Sequence, residues 1–183
     1  MQPYFMPFIG YWELISKVDT FILYDDAQFM KGGWINRNRI VNRNEVQYLS
    51  LDLQKASPNK RINEICFYLP FEAQNKKIHD QVRNAYGDSK FYSDINIFLQ
   101  STFDIGCWPS LSKFVCNSII QSTKKLSISQ NFVLSSTLSY DRESDAEHKI
   151  LQMCDIFKCS EYVNMAGGSH LYNNKTFLKY GIK

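Results

Sequence analysis

The sequence predicts an α/β fold in which strand–helix–strand units at the two ends of the chain flank a helical middle. Near both ends, short apolar runs of strand composition, such as residues 20–24, alternate with segments whose apolar residues recur at helical spacing. Between about residues 70 and 126 the spacing is helical throughout. We therefore expect one α/β domain over residues 1–183, a Rossmann-like three-layer sheet with a helical insert at about 70–126.

The first elements follow from prolines, glycines and apolar spacing. Two prolines and a glycine exclude a helix from the first ten residues and predict an aromatic-rich loop, preceded by a strand. A helix is expected next at 11–18, then the strand at 20–24. Alternating apolar and polar residues then predict a hairpin of residues 35–41 and 45–53, followed by a polar loop at 54–63.

The rest of the chain is predicted from helical periodicity and from the residues that interrupt it. Pro109 is typical of a first helical turn, and glycines separate the three central helices. A second strand–helix–strand unit is expected after them. The predicted helices are 71–86, 90–103, 109–125 and 144–157, the strands 65–69, 132–134 and 161–163, and the turn 166–169.

Composition excludes several classes of protein. With 44% hydrophobic residues, the 183-residue chain can build a core, which argues against disorder. The net charge of +3 is far from the basic balance of a dedicated nucleic-acid binder, so nucleic-acid binding is disfavoured. Five cysteines without a C-x-x-C pair indicate buried thiols and a reducing cytoplasm, not a disulfide framework or a zinc site. No apolar run approaches the roughly 20 residues that span a bilayer.

The first candidate ligand-binding segment is the aromatic loop. In open α/β sheets, ligands bind beyond the carboxyl ends of the strands. The loop contributes Gln2, Tyr4, Gly10 and Tyr11, and its peptide N–H groups would approach a phosphate at a helix N-terminus. Alternatively, it is a proline-shaped surface loop packed by its own aromatic residues.

A second candidate segment follows the strand at 20–24. Asp25 and Asp26 could accept ribose hydroxyls, hold a hard cation or act as a base. Arg37 and Arg39 would share one face of an extended segment and could clamp a phosphate or carboxylate. The alternative is a hairpin with a solvated charged face. Lys31 and Asn36 complete this candidate set.

Two weaker candidates remain. The basic loop at 55–63 contributes Lys60 and Asn63, or is simply exposed, as charge runs usually are. Gly167 and Gly168 would allow close approach of a ligand, or only shape a turn. Neither H-x-x-x-H, G-x-S-x-G, a phosphate-binding loop nor G-x-G-x-x-G is present, so a metallohydrolase is disfavoured and no metal ligands are assigned.

Several long motifs resemble the WbqC-like family. The family implies bacterial cytoplasmic proteins encoded among genes for O-antigen and capsule synthesis. Its members usually carry a few apolar residues before the first motif and several dozen after Lys183, so we expect this chain to lack terminal elements. The motifs are Met1-Gln2-Pro3-Tyr4-Phe5-x-Pro7-Phe8-Ile9-Gly10-Tyr11, Asp19, Tyr24-Asp25-Asp26, Trp34-Ile35-Asn36-Arg37-Asn38-Arg39, Lys55-Ala56-Ser57-x-Asn59-Lys60-x-Ile62-Asn63-Glu64-Ile65, Tyr162-Val163-Asn164, Gly167-Gly168 and Leu171-Tyr172.

A weaker likeness concerns Gly10-Tyr11 followed by Leu14-Ile15, which is similar to the nucleotidylyltransferase pattern of Gly-His before a Leu-Ile helix. Tyr11 stands where the phosphate-contacting histidine would be. This likeness favours a nucleotide-binding type of fold and disfavours that family's chemistry.

Two hypotheses of function follow. In the first, the chain is a transferase that modifies a nucleotide-activated amino sugar, or another phosphorylated small molecule, by acyl or aminoacyl transfer. Asp25, Asp26 and Tyr11 would be catalytic, with Asp26 as general base, while Arg37, Arg39 and Lys60 neutralise the diphosphate. Asn36 and Asn63 would help to orient the sugar.

In the second hypothesis, the chain is a non-catalytic scaffold of the same pathway, and the side chains of Tyr4, Phe5 and Phe8 form a partner surface. The sequence identifies no cofactor. It leaves the oligomeric state open, including a homo-oligomer.

Overall fold

The structure is a mixed α/β fold with 44% helix and 14% strand, which confirms the expected class. It is a computed structural model that describes the chain except for the side chains of Ser169 and His170. The described strands form three two-stranded sheets. The finer expectation of one Rossmann-like sheet stays a prediction.

The first sheet joins the two ends of the chain. Strand β1 (Thr20–Leu23) pairs in parallel with the later strand Asn131–Leu134, with Phe21 opposite Phe132. On the other side of β1, the Met1 amino nitrogen donates to the Ile22 carbonyl (2.9 Å), and the Tyr24 N–H donates to the Met1 carbonyl (2.8 Å). Met1 therefore lies beside β1 in parallel register.

The second sheet is the expected hairpin, formed by β2 (Arg37–Asn42) and β3 (Glu45–Ser50). Its turn residues Arg43 and Asn44 both have positive φ, 49° and 67°. Two consecutive residues of this kind form the turn that best matches the twist of a two-residue hairpin. The third sheet pairs β4 (Leu53–Gln54) with β5 (Cys66–Phe67), and the later strand Asn131–Leu134 is β6.

Five of the described helices lie where apolar spacing predicted them, but the first helix begins at Ile9, inside the first ten residues from which a helix was excluded, and the short helix Asn174–Lys179 was not predicted. The third central helix begins at Leu111, two residues later than predicted, because Ser110 accepts from the Lys113 N–H (3.4 Å) as its N-cap. Residues 161–163, expected as a strand, lie outside the named strands, although the Tyr162 N–H donates to the Lys183 carbonyl (2.8 Å). The helices are α1 (Ile9–Ser16), α2 (Phe71–Tyr86), α3 (Tyr92–Thr102), α4 (Leu111–Lys125), α5 (Ala146–Ile156) and α6 (Asn174–Lys179).

Two hydrophobic cores lie on the two faces of β1. Phe21 and Leu23 belong to the first core, in which Phe114 of α4 packs edge-on against neighbouring phenylalanines. Ile22 points the other way and packs against the second core, which includes Met153 of α5. Because successive side chains of a strand alternate, this short strand joins both halves of the protein.

Candidate functional site

The three predicted loops meet in the structure. The Phe5 N–H donates to the Trp34 carbonyl (2.9 Å), which joins the aromatic loop to the second segment. The Asn63 N–H donates to the Asp25 carbonyl (3.0 Å), which joins the basic loop to the same segment. The Asn38 side-chain amide also donates to the Phe5 carbonyl (3.0 Å). The backbone thus holds all three loops together at the end of β1.

Asp25 and Asp26 lie at this junction but are buried, with 3% and 6% of their surfaces exposed. Asp25 is the centre of a serine cage, since its two carboxylate oxygens accept four hydrogen bonds. The donors are the Ser112 hydroxyl (3.3 Å), the Ser135 hydroxyl (3.1 Å), and the Ser136 N–H (2.9 Å) and hydroxyl (2.8 Å). This cage ties β1 to α4 and to the segment after β6.

Asp26 forms the buried half of an ion pair. The Arg142 Nε donates to one carboxylate oxygen (2.7 Å), while the Tyr140 hydroxyl (2.9 Å) and the Ser135 hydroxyl donate to the other. Burial and then the hydrogen bond to Asp26 raise the pKa of Tyr140 well above its ordinary value. Tyr140 therefore remains a protonated donor at neutral pH.

Arg142 also fixes the loop that carries it. Its Nη2 donates to the carbonyls of Ser136 (3.1 Å) and Leu138 (3.1 Å), and its guanidinium lies 4.6 Å from the centroid of the Tyr140 ring. We call Asp25, Asp26, Ser135, Tyr140 and Arg142 the carboxylate network. Because both carboxylates are buried and fully engaged, the network positions residues 135–142 against β1.

The accessible charge lies elsewhere, on the outward face of the hairpin. The Arg37 guanidinium carbon is 4.8 Å from the centroid of the Tyr48 ring, and that of Arg39 is 5.1 Å from the Trp34 ring. Trp34 and Tyr48 are 37% and 51% exposed. The two arginines share one face, as expected for alternate residues of a strand. We call these four residues the arginine–aromatic surface.

Arg37 is held in place without a carboxylate partner. Its Nε donates to the Gly33 carbonyl (3.2 Å), and Nη2 donates to the Gly32 carbonyl. No ion pair among the described side chains includes Arg37 or Arg39. Since a guanidinium has five N–H donors, Arg37 keeps donors for an anion.

The structure places Tyr11 inside the first core, away from solvent. Its ring is fully buried, and its hydroxyl donates to the Gln2 carbonyl (3.0 Å). Burial raises the pKa of Tyr11 well above its ordinary value. Gly10 is also closely packed, since a Cβ there would lie 2.6 Å from the Phe8 ring. Tyr11 therefore shapes the aromatic loop from beneath.

Four other predicted residues, Gln2, Tyr4, Asn36 and Asn63, lie within or beside the joined loops. Asn36 donates to the Leu51 carbonyl (3.0 Å), and Tyr4 packs 5.9 Å from the Tyr11 ring centroid. The Gln2 amide reaches the Gln28 carbonyl at 3.5 Å. Asn63 keeps an enclosed Oδ1 without a hydrogen-bond partner.

The lysines and glycines of the candidate set occupy different surroundings. Lys31 and Lys60 are exposed, and the Phe29 N–H donates to the Lys60 carbonyl (2.8 Å), so the two lysines border the same stretch of chain. Gly167 has open space around it, whereas a Cβ on Gly168 would lie 2.7 Å from the Asn164 amide. Neither glycine is among the residues that join the three loops.

The aspartates and the arginines share neither of two cavities formed by the described residues. One cavity of about 390 Å³ lies between β1, α1, α5 and residues 158–163. A second, of about 420 Å³, lies between residues 162–168 and the C-terminal residues. Asp25, Asp26, Arg37 and Arg39 line neither, because the carboxylates turn inward to the serines while the arginines lie on the outer hairpin face.

Sequence reasoning missed the partners of the aspartates. Ser135, Ser136, Tyr140 and Arg142 lie about 110 residues away along the chain. Serines are common in loops and give no signal of their own. Tyr140 and Arg142 follow the predicted strand at 132–134. They could have been predicted as partners of the aspartates, because parallel strands end at the same edge of a sheet.

The fold and site define a mixed α/β protein with a buried carboxylate network beside an exposed arginine–aromatic surface. The chain belongs to the WbqC-like protein family, whose family model matches residues 2–183. It is also 40% identical over 65 residues to a protein of Mycobacterium tuberculosis (strain ATCC 25618 / H37Rv) named "Uncharacterized protein Rv1507c". That match covers 35% of this chain and 28% of the relative's length.

Two further observations concern solved structures and membrane-spanning helices. No solved structure matches the chain. Of the helices that the structure describes, none combines the length and the apolar character needed to cross a membrane.

Proposed function

We propose that this protein binds a nucleotide-activated amino sugar at the arginine–aromatic surface and transfers an acyl or aminoacyl group to the sugar amine. The proposal places this reaction in the bacterial cytoplasm, in the synthesis of O-antigen or capsular polysaccharide. The observation that carries it is the pair of arginines, Arg37 and Arg39, which have partly exposed rings beside them and no carboxylate partner among the side chains that the structure describes. Membership of the WbqC-like family supports the choice of pathway.

The ligand chemistry follows from the two kinds of group on this surface. A nucleotide sugar carries a diphosphate between a base and a sugar ring. Free guanidinium donors form strong, charge-assisted hydrogen bonds with phosphate oxygens. The partly exposed rings of Trp34 and Tyr48 suit a base or a sugar ring, and stacking of a base on an aromatic side chain is worth about 1–3 kcal/mol. Lys31 and Lys60 add positive charge beside the second segment.

The transfer step defines what the protein must supply. The amine nitrogen of the sugar forms a bond to the carbonyl carbon of an activated acyl donor, the bond to the donor's leaving group breaks with its electron pair going to that group, and the leaving group takes up the proton that the amine releases. The carboxylate network holds the loop of residues 135–142 against β1. In their buried state Asp25 and Asp26 are positioning residues, because their oxygens already accept hydrogen bonds.

A second candidate function is the non-catalytic scaffold. Phe8 and Ile9 at the start of α1 are 56% and 84% exposed, which favours a small apolar partner surface. This surface differs from the one predicted, because Phe5 is fully buried and Tyr4 is half-buried.

A thermal-shift experiment separates the two functions. A dTDP-linked amino sugar with a free amine is titrated into the protein, beside UDP-N-acetylglucosamine and GDP-mannose, which carry the diphosphate but no free amine. A ligand present at 100 times its dissociation constant is expected to add about 2.7 kcal/mol to the free energy of unfolding. Free N-acetylglucosamine, which lacks the diphosphate, serves as the control. Equal melting temperatures with every compound would favour the scaffold.

A further inference from the structure

The outward face of the β2–β3 hairpin continues beyond the arginine–aromatic surface into two exposed valines. Val41 and Val46 lie opposite each other in the register, two residues closer to the turn than Arg39 and Tyr48. Their exposed fractions are 51% for Val41 and 62% for Val46. In a hairpin with a two-residue turn, the second pair from the turn exchanges no backbone hydrogen bonds, and its side chains come closest together. We call Val41 and Val46 the valine pair.

Helix α2 holds both strands of the hairpin at this point. The Val41 N–H donates to the Tyr86 hydroxyl (3.1 Å), and the Gln81 side-chain amide donates to the Tyr48 carbonyl (3.4 Å). One bond therefore reaches each strand from the same helix. The valine pair is a fixed apolar surface on a supported hairpin, so it can present the same contacts to every ligand.

The charges on this outward face are positive. Among the residues of β2 and β3, the face carries the guanidinium groups of Arg37 and Arg39. Glu45, the acidic residue of these two strands, pairs with Asn42 and belongs to the opposite face. A cationic group placed on the valine pair would therefore lie near Arg39 and would find no carboxylate of the two strands on the same face.

The groups along this face follow the same order as the groups of an acylated nucleotide sugar. Trp34 lies beside both arginines, and the valine pair lies about 7 Å beyond Arg39 and Tyr48, the length of two strand residues. In the ligand, a base, a diphosphate, a sugar ring and the acyl group on its amine follow one another. With the diphosphate on Arg37 and Arg39 and the ring over Tyr48, the acyl group reaches the valine pair.

We propose that the valine pair receives the transferred group, and that this group is a neutral, apolar acyl chain and not an aminoacyl group. This inference rests on the proposed function and specifies its substrate class further. The step keeps its balance: the sugar amine bonds to the acyl carbonyl carbon, and the leaving group departs with its electron pair and takes up the proton. An apolar chain on the valine pair leaves water, whereas Arg39 would repel the ammonium of an aminoacyl group.

The test compares three N-acyl forms of UDP-glucosamine and of a dTDP-linked amino sugar by isothermal titration calorimetry. The forms are N-acetyl, N-butyryl and N-β-alanyl; the last two have chains of equal length, with an ammonium group in place of the terminal methyl group. The N-butyryl form should bind about fourfold more tightly than the N-acetyl form, because each added methylene packed on one side loses about half of its contact with water. The N-β-alanyl form should bind about fivefold more weakly than the N-butyryl form, because of the nearby positive charge.

Matched variants assign the preference to the valine pair. Val41→Thr combined with Val46→Thr keeps two β-branched side chains in the strands and replaces one methyl group of each by a hydroxyl. It should abolish the fourfold preference for butyryl over acetyl. Ile97→Thr changes an exposed apolar side chain of α3 and should leave the preference intact. A general loss of stability would lower both affinities and would not change their ratio.

The outcomes separate this inference from the proposed function. Equal affinities of the N-butyryl and N-β-alanyl forms, or an unchanged preference for butyryl in the double valine variant, would overturn the inference and leave the proposed function standing. If no form of either nucleotide sugar bound to the protein, the proposed function would fail and the inference would fail with it.

Discussion

Replacing Asp26 by alanine is expected to lower the free energy of unfolding by about 3 kcal/mol, at the lower end of the range for breaking a buried ion pair. The carboxylate is enclosed and accepts from Arg142 and Tyr140, so its loss leaves these two donors without their acceptor, whereas the Ser135 hydroxyl can still donate to Asp25. The estimate is at the lower end because the Arg142 side chain is 30% exposed and can regain water. Urea unfolding followed by circular dichroism gives the value.

Two companion variants control this prediction. Tyr140→Phe removes one donor and leaves the ion pair, so its cost should be smaller than that of Asp26→Ala. Asp155→Ala removes an exposed carboxylate that pairs with Lys158 at 2.9 Å, and such surface pairs are worth at most about 1 kcal/mol. If Asp26→Ala proved no more destabilising than Asp155→Ala, the carboxylate network would not stabilise the loop of residues 135–142.

Replacing Arg37 by alanine is expected to weaken the binding of a nucleotide sugar by about tenfold to about a hundredfold. This range corresponds to the loss of one charge-assisted contact, about 1.5–3 kcal/mol. Arg37→Lys should recover only part of the affinity, because lysine keeps the charge but cannot form paired hydrogen bonds with phosphate. Isothermal titration calorimetry with UDP-N-acetylglucosamine, or with whichever nucleotide sugar stabilises the protein most, measures the change.

Arg43 provides the matched control for Arg37. It is an exposed arginine at the turn of the same hairpin, with the same charge but outside the arginine–aromatic surface. Arg43→Ala should leave the affinity unchanged apart from a small, salt-dependent effect. Equal losses from both substitutions would mean that the hairpin attracts the ligand only through its net charge.

The five longer helices were predictable because apolar residues recur in them at helical spacing, whereas the six-residue helix α6 was not predicted. Residues 71–86 carry buried Ile78 and Val82 four residues apart, and that spacing alone identified the helix. The same reasoning, applied to α1, would have placed Tyr11 correctly. Tyr11, Leu14 and Ile15 have the spacing of one buried helix face, and all three are buried. Tyr11 therefore packs into the first core and does not face the surface of the aromatic loop.

The hydrogen-bond partners of Asp25 and Asp26 were not predictable, because local sequence patterns do not show which distant residues pack together. Nothing near Asp25 indicates that its oxygens accept from serines on α4 and after β6. The arginine pair was more accessible to prediction, since alternate residues of a strand share a face whatever lies around them. The loops met as expected, but the direction in which each side chain points depends on packing across more than 100 residues of chain.

The central claim is that a nucleotide sugar binds across Trp34, Arg37 and Arg39. An NMR titration of the protein with UDP-N-acetylglucosamine and the other nucleotide sugars, following the indole N–H signals of the three tryptophans, tests it most directly. We expect the Trp34 signal to shift saturably, while Trp12, whose indole donates to the Pro7 carbonyl (3.1 Å), and Trp108 stay in place. Saturable shifts confined to Trp12 or Trp108, or no shift at Trp34 with any nucleotide sugar, would contradict the claim.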